Sequence, residues 1–165
     1  MLASFYGTCD ASHNVTCDSK GVTGWAYLLG NGAVCWKSKA QPIVALSSTE
    51  SELIAIDGAV RELRFLHKLL KDFGQQTTDP TTLAQDNMST IHLCNSEHFN
   101  ARTRHVALRY HYVGDQIRAG IIKIKYLSTL DMTADALTKP LPVHSHIRHR
   151  EVLLGHVIHD FAKEL

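Results

Sequence analysis

The sequence predicts one α/β domain built on a mixed five-stranded sheet with helices packed over it. Three observations carry that expectation. Short β-favouring runs fill the segment up to residue 39, an apolar period of three to four takes over from Ser47, and extended and helical segments then alternate. The order of elements is βββαβααβα with a further helical tail. At 165 residues the chain has room for one core and not for two.

Residues 3–10, ASFYGTCD, are apolar and β-favouring and end on an aspartate, which reads as a strand. GWAYLLG at 24–30 and AVCWKSK at 33–39 flank an Asn31-Gly32 pair and predict an antiparallel hairpin, so the chain begins as a meander. From Ser47 onward Leu53, Ile56, Val60, Leu63, Leu66 or His67, and Leu70 recur at helical spacing until Gly74, which makes one long amphipathic helix. TTLAQD at 81–86 is a short strand ending, like the first, on an aspartate, and 87–94 is a short helix. A further helical pattern covers 104–119, with Val106, Leu108, Tyr112, Val113 and Ile117 as its apolar members and Gly120 as its stop. IIKIKYL at 121–127 alternates as a half-exposed strand does, and DMTADALTKPLP at 131–142 is a short helix closed by prolines. The domain accordingly occupies 1–142. Residues 143–165 form a His-rich helical extension, packed on the domain or trailing from it, with its helix around 148–154.

Composition narrows the class. Hydrophobic residues at 44% and charged residues at 20% are those of a chain that folds. No apolar run approaches the roughly 18 residues of a membrane span, and the opening residues lack the pattern of a signal peptide, so an intracellular protein, or a piece cut from a larger intracellular chain, without a membrane is expected. Cys9, Cys17, Cys35 and Cys94 show neither a C-x-x-C pair nor a zinc spacing, which points to reduced thiols. Lys plus Arg total 17 against 16 for Asp plus Glu, yet between His98 and Tyr126 six cations meet a single acid, Asp115. That segment suits phosphate.

The acids carry the chemistry. In SSTESEL at 47–53, Ser47 with Glu50 has the spacing of a capping box, and Thr49 with Glu52 is a competing one. Two residues apart on a helix, the glutamates point roughly opposite ways, so they cannot share one task. Glu52 is either a second cap or a functional group. Asp10 and Asp86 end strands and Asp135 lies in a short helix; strand ends meet at one sheet edge, where a helix packed over the sheet can bring Glu52. Four converging carboxylates repel one another unless cations neutralise them, and hard oxygen ligands suit Mg²⁺ or Mn²⁺. Asp131 reads as a helix N-cap and Asp18 and Asp57 as surface residues. The tail histidines read as solvated, and Trp25 and Trp36 as sheet packing.

Read together, CDAS at 9–12, GWAYLLGNGAVCWKSKAQPIVALSSTESELIAI at 24–56, AQDNMSTI at 84–91, ARTRHVALRYHYV at 101–113 and TADALTKPLP at 133–142 resemble the RNase H domain of copia-type LTR retrotransposon polyproteins. The resemblance implies an RNase H-like fold: an antiparallel β1–β3 meander followed by parallel strands, with helices on both faces. It implies a metal-dependent endonuclease that cuts the RNA strand of RNA/DNA hybrids during reverse transcription, using two Mg²⁺ per site, with Mn²⁺ able to substitute. Asp10, Glu52, Asp86 and Asp135 fall on the family's catalytic, metal-binding acids, which leaves Glu50 as the cap. Nucleic acid is expected at Ser12, Asn87, Ser89, Arg102, Arg104, His105 and Arg109, with His105 and His111 either structural or facing substrate. An upstream reverse transcriptase domain in the same polyprotein and a place within retrotransposon particles are implied too. Relatives carry a histidine shortly before the last aspartate, whereas KYLSTLDMTA has none. The alternative is an RNase H-like module without catalysis that binds hybrid or serves as a structural domain.

Overall fold

A computed structural model of the chain describes residues 4–30, 32–75, 80–96 and 107–157. Strands β1 (Phe5–Ser12), β2 (Val22–Leu29) and β3 (Gly32–Ala40) form the meander, and β4 (Thr81–Gln85) and β5 (Ile122–Tyr126) complete a sheet of order β3-β2-β1-β4-β5. The β1–β2 and β2–β3 pairs are antiparallel, and β1–β4 and β4–β5 are parallel. The hairpin is built differently from the expected Asn31-Gly32 turn. Gly32 already pairs with Leu29 inside the sheet, and the positive φ of 66° is taken by Gly30, a conformation that costs a residue without a side chain little. Asn31 lies outside the described residues.

Helix α1 (Ser48–Asp72) lays Leu53, Ile56, Val60 and Leu63 on one face of the sheet against Cys9, Trp25, Tyr27 and Leu83. A fully buried Leu, Ile or Val contributes about 1.5–3 kcal/mol, so this stripe is the principal attachment of the helix. Helix α2 (Met88–Asn95) adds Cys94, and α3 (Ala107–Arg118) adds Tyr110 and Val113. On the other face Tyr6, Ala26, Leu28 and Ala84 are covered by Leu127, Met132, Ala134 and Val152, the last from α4 (Val143–Leu153).

Several expectations need correction. Leu108 is 88% exposed and Tyr110 is buried in its stead, because Tyr110, Val113 and Ile117 share a helix face that Leu108, two residues earlier, cannot join. Trp36 is 62% exposed on the edge strand, opposite Ala26. Residues 131–142 hold no α-helix: the chain makes two 3₁₀ segments, Thr129–Asp131 and Thr133–Leu137. Asp131 is not a cap; Ser128 accepts the amide of Leu130 there, and Asp131 pairs with Arg148. Asp57 is buried rather than on the surface, because it faces Arg61 at 2.9 Å and Arg109 at 3.5 Å. The tail helix starts at Val143, five residues before the expected span, and His149 on it is buried while His144, His146 and His156 are exposed. All four cysteines are free thiols, as expected.

Candidate active site

Strand register puts the first two acids side by side. β1 and β4 run parallel with Thr8 opposite Ala84, so two residues further on Asp10, still within β1, comes level with Asp86 just past the end of β4. Glu52 arrives from α1, whose start is fixed at both sides. Ser47 accepts the Glu50 amide at 3.1 Å, and Glu50 turns back to accept the amide of Leu46 at 2.8 Å, one residue short of the Ser47 amide that a capping box engages. Gln41, 2% exposed, donates to the Ser51 carbonyl and accepts from the Ser51 hydroxyl, clamping the first turn to the sheet. The two glutamates therefore diverge as expected: Glu50 caps, and Glu52 points at Asp10 and Asp86.

Carboxylate oxygens of Asp10, Glu52 and Asp86 lie within 4.8 Å of one another. Asp135 is beside this triad and not in it. It comes from the Thr133–Leu137 segment, which can sit against β2 because Gly24, the partner of Asp10 across the strands, has no side chain; a Cβ there would come within 2.5 Å of Thr138 Cγ2. Thr138 donates its hydroxyl to Asp10, and Ser12 donates to the Thr138 carbonyl at 2.9 Å.

Three of the four acids are nearly shut off from water: Asp10 is 2% exposed, Glu52 5% and Asp135 4%. Burial, with Asp10 and Asp86 nearby, pushes the Glu52 carboxyl up to about 9, against a hydrogen bond from Gln85 that favours its ionised form. Burial and Asp10 likewise raise Asp135 to about 7, against the pull of Lys139. The Oδ1 atom of Asp135 is buried without a hydrogen-bond partner. Oxygen donors alone, crowded anions and an orphaned carboxylate oxygen fit a hard divalent cation such as Mg²⁺ or Mn²⁺.

Three positioning residues escape a reading of the sequence. Gln85, fully buried, donates through Nε2 to Glu52 Oε2 at 3.1 Å while its Oε1 accepts the amides of Asp86 and Asn87, so one carboxamide orients two acids from two elements. Thr129 donates to Asp86 at 2.8 Å. Lys139 Nζ stands 2.9 Å from Asp135 and 3.8 Å from Asp10. Only the adjacency of Gln85 to Asp86 and the i, i+4 spacing of Asp135 and Lys139 could have signalled them.

Among the described residues, those expected to meet nucleic acid are dispersed. Arg102, Arg104 and His105 lie outside the described residues. Ser12 is buried and committed to Thr138, and Asn87 caps α2 by accepting the Thr90 amide at 3.1 Å. Ser89 is exposed, and so is His111, whose ring meets Tyr110 edge-on. Arg109 lines a cavity of about 210 Å³ with Lys37, Lys39 and Asp57, between the β3 edge and α1.

No protein-family profile matches the chain. It is 36% identical over 126 residues, 76% of its length, to the Retrovirus-related Pol polyprotein from transposon RE2 of Arabidopsis thaliana. The corresponding polyprotein from transposon TNT 1-94 of Nicotiana tabacum is 34% identical over 123 residues, 74% of this chain. It is a homologue of retrotransposon Pol polyproteins. A 30% identity over 139 residues, 81% of this chain, to the Transposon Ty1-DR5 Gag-Pol polyprotein of Saccharomyces cerevisiae extends the group beyond plants. The homology spans only 9% of the length of the two plant proteins. Among solved structures, RNase H1 of Halobacterium salinarum NRC-1 aligns with a TM-score of 0.53 at 18% identity, over 81% of this chain and 93% of that one. LC11-RNase H1, solved in complex with an RNA/DNA hybrid, aligns with a TM-score of 0.58 at 9% identity over the same shares. At these identities the likeness establishes the fold, and the fold of this Pol homologue is that of RNase H.

Proposed function

We propose that the acid cluster is the centre of a ribonuclease H, a metal-dependent endonuclease that hydrolyses the RNA strand of RNA/DNA hybrids during reverse transcription of a retrotransposon. The observation that carries this reading is the convergence of Asp10, Glu52 and Asp86 within 4.8 Å, largely buried, in a chain with that fold and that homology. Asp10, Glu52 and Asp86 would hold one divalent ion, and Asp10 with Asp135 a second. Bound Mg²⁺ or Mn²⁺ supplies the Lewis acidity that generates a nucleophilic hydroxide from water and stabilises the oxygen that leaves phosphorus. Gln85 and Thr129 hold Glu52 and Asp86 in place, so the carboxylates spend no free energy on reorganising.

Substrate recognition follows from shape and charge. A hybrid of A-like geometry presents 2′-hydroxyls in a wide, shallow minor groove, legible without reading bases. Exposed Ser89 and the free edges of Asn87 beside Asp86 are the candidate donors on the substrate strand, and the Lys37–Lys39–Arg109 cavity is a candidate seat for a phosphate of the other strand. Burial of Ser12 weighs against its direct contact with nucleic acid. An upstream reverse transcriptase domain and a cytoplasmic particle are the setting that Pol homology supports, and no helix among the described residues is long and apolar enough to cross a membrane.

Cleavage of an end-labelled RNA strand within a hybrid, with Mg²⁺ or Mn²⁺, tests the proposal directly. The folded protein should cut the hybrid and spare single-stranded RNA, and Asp10→Asn should not cut. A folded protein that binds hybrid under both metals and leaves it intact would instead be the binding module without catalysis.

A further inference from the structure

The cluster is divided into halves of unlike construction. On one side carboxylate oxygens of Asp10, Glu52 and Asp86 converge within 4.8 Å of one another. On the other, the Lys139 ammonium stands between Asp135, at 2.9 Å, and Asp10, at 3.8 Å. An ammonium at these distances from two carboxylates supplies the positive charge of this half of the site. The backbone of Lys139 is anchored, because the neighbouring Thr138 is tied to Asp10 by its hydroxyl and to Ser12 by its carbonyl. The side chain itself is 36% exposed, which leaves its flexible four-carbon stem an open way out to solvent.

We propose that Lys139 is a built-in counter-ion that reserves the place of the second metal ion: without substrate one divalent ion binds at Asp10, Glu52 and Asp86, and a second enters between Asp10 and Asp135 only when the ammonium moves off them. This rests on the reading of the acids as metal ligands. Charge counting supports it. One dication with the ammonium leaves four carboxylates one charge short of neutral, whereas a second dication with the ammonium still in place overshoots neutrality. An arriving phosphodiester brings a further negative charge and an alternative partner for the lysine, so substrate would favour both the swing and the second ion. Lys139 is on this account a positioning residue that makes complete metal loading depend on substrate.

The test needs no turnover. Calorimetric titration of the whole chain with Mg²⁺, and with Ca²⁺ as an ion of the same charge, in the absence of nucleic acid, should give one ion bound by the wild type. Lys139→Met should bind two, the second on the order of tenfold tighter or more than any second ion in the wild type, since a unit charge a few ångströms away has been removed. Lys139→Arg keeps the charge and should stay with the wild type. In thermal unfolding, Lys139→Met should have the lower midpoint in EDTA and the larger rise on adding Mg²⁺; if it does not fold in EDTA, Lys139→Gln, which keeps a polar tip, takes its place in both measurements. Equal numbers and affinities of ions in wild type and Lys139→Met, or two tight ions in the wild type, overturn the role of the lysine alone. Binding by neither protein removes the metal reading, and the role of the lysine with it.

Discussion

Replacing Glu52 by glutamine should stabilise the metal-free protein at neutral pH. The Glu52 carboxyl is 5% exposed and is pushed from the ordinary 4.5 up to about 9, so between those values the folded chain keeps a proton that the unfolded chain releases. Stability due to this group is complete below the ordinary value, declines as pH rises through the window, and is lost above the raised one. At pH 7 the cost is set by the distance from 4.5 to 7, about 3 kcal/mol at 1.36 kcal/mol per pH unit. Glutamine has no proton to retain, and its side-chain oxygen still accepts from Gln85. For a chain of this size that corresponds to a midpoint roughly 6–12 °C above wild type in EDTA at pH 7. The difference should shrink towards zero near pH 4.5, and Mg²⁺ should raise the wild type far more than the variant, which has lost a ligand. Thermal unfolding by circular dichroism at the two pH values, with EDTA and with Mg²⁺, decides it. An equal or lower midpoint for Glu52→Gln in EDTA at pH 7, or a gain that persists unchanged at pH 4.5, would falsify the account of a strained acid cluster.

Two further outcomes are expected. Gly24→Ala puts a Cβ within 2.5 Å of Thr138 Cγ2 and 2.9 Å of Leu137 Cβ, so it should destabilise by about 1–3 kcal/mol and displace the segment that carries Asp135; denaturant unfolding measures the first effect and Mg²⁺ titration the second. Affinity for hybrid, measured by fluorescence anisotropy on Asp10→Asn, should fall steeply with salt, and Arg109→Ala should lower the slope of log affinity against log salt by about one if Arg109 meets a phosphate.

The fold was legible because its elements announce themselves locally. The apolar stripe of α1, the alternation in 121–127 and the turn-rich gaps each depend on neighbours close in sequence, and the register of β1 against β4 then brings two strand-terminal aspartates together. Of the candidate site, the four acids were visible through the motifs around them, while Gln85, Thr129 and Lys139 were not. Their roles are completed by tertiary contacts, Gln85 to Glu52, Thr129 to Asp86 and Lys139 to Asp10, and Gln, Thr and Lys are ordinary surface residues by composition. Asp57 was misread in part for the same reason: besides Arg61 on its own helix, its second partner Arg109 is 52 positions away. Residues 129–137 form 3₁₀ segments, the second packed close against Gly24, a long-range contact that no local propensity encodes.

The ties that close the site join the two ends of the domain. Thr138 reaches Asp10 across 128 positions and Ser12 across 126, whereas Glu52 meets Gln85 across 33. Closing a chain loop costs more entropy the longer the loop, and contacts between residues distant in sequence are the slow ones in folding. The Asp10–Glu52–Asp86 half can therefore be assembled by the segment up to Thr129, but the half bearing Asp135 and Lys139 has to await residues 133–139. For a protein made from its N-terminus onward, the acid cluster is completed in two stages, and its second half reports that the segment behind the last strand is in place.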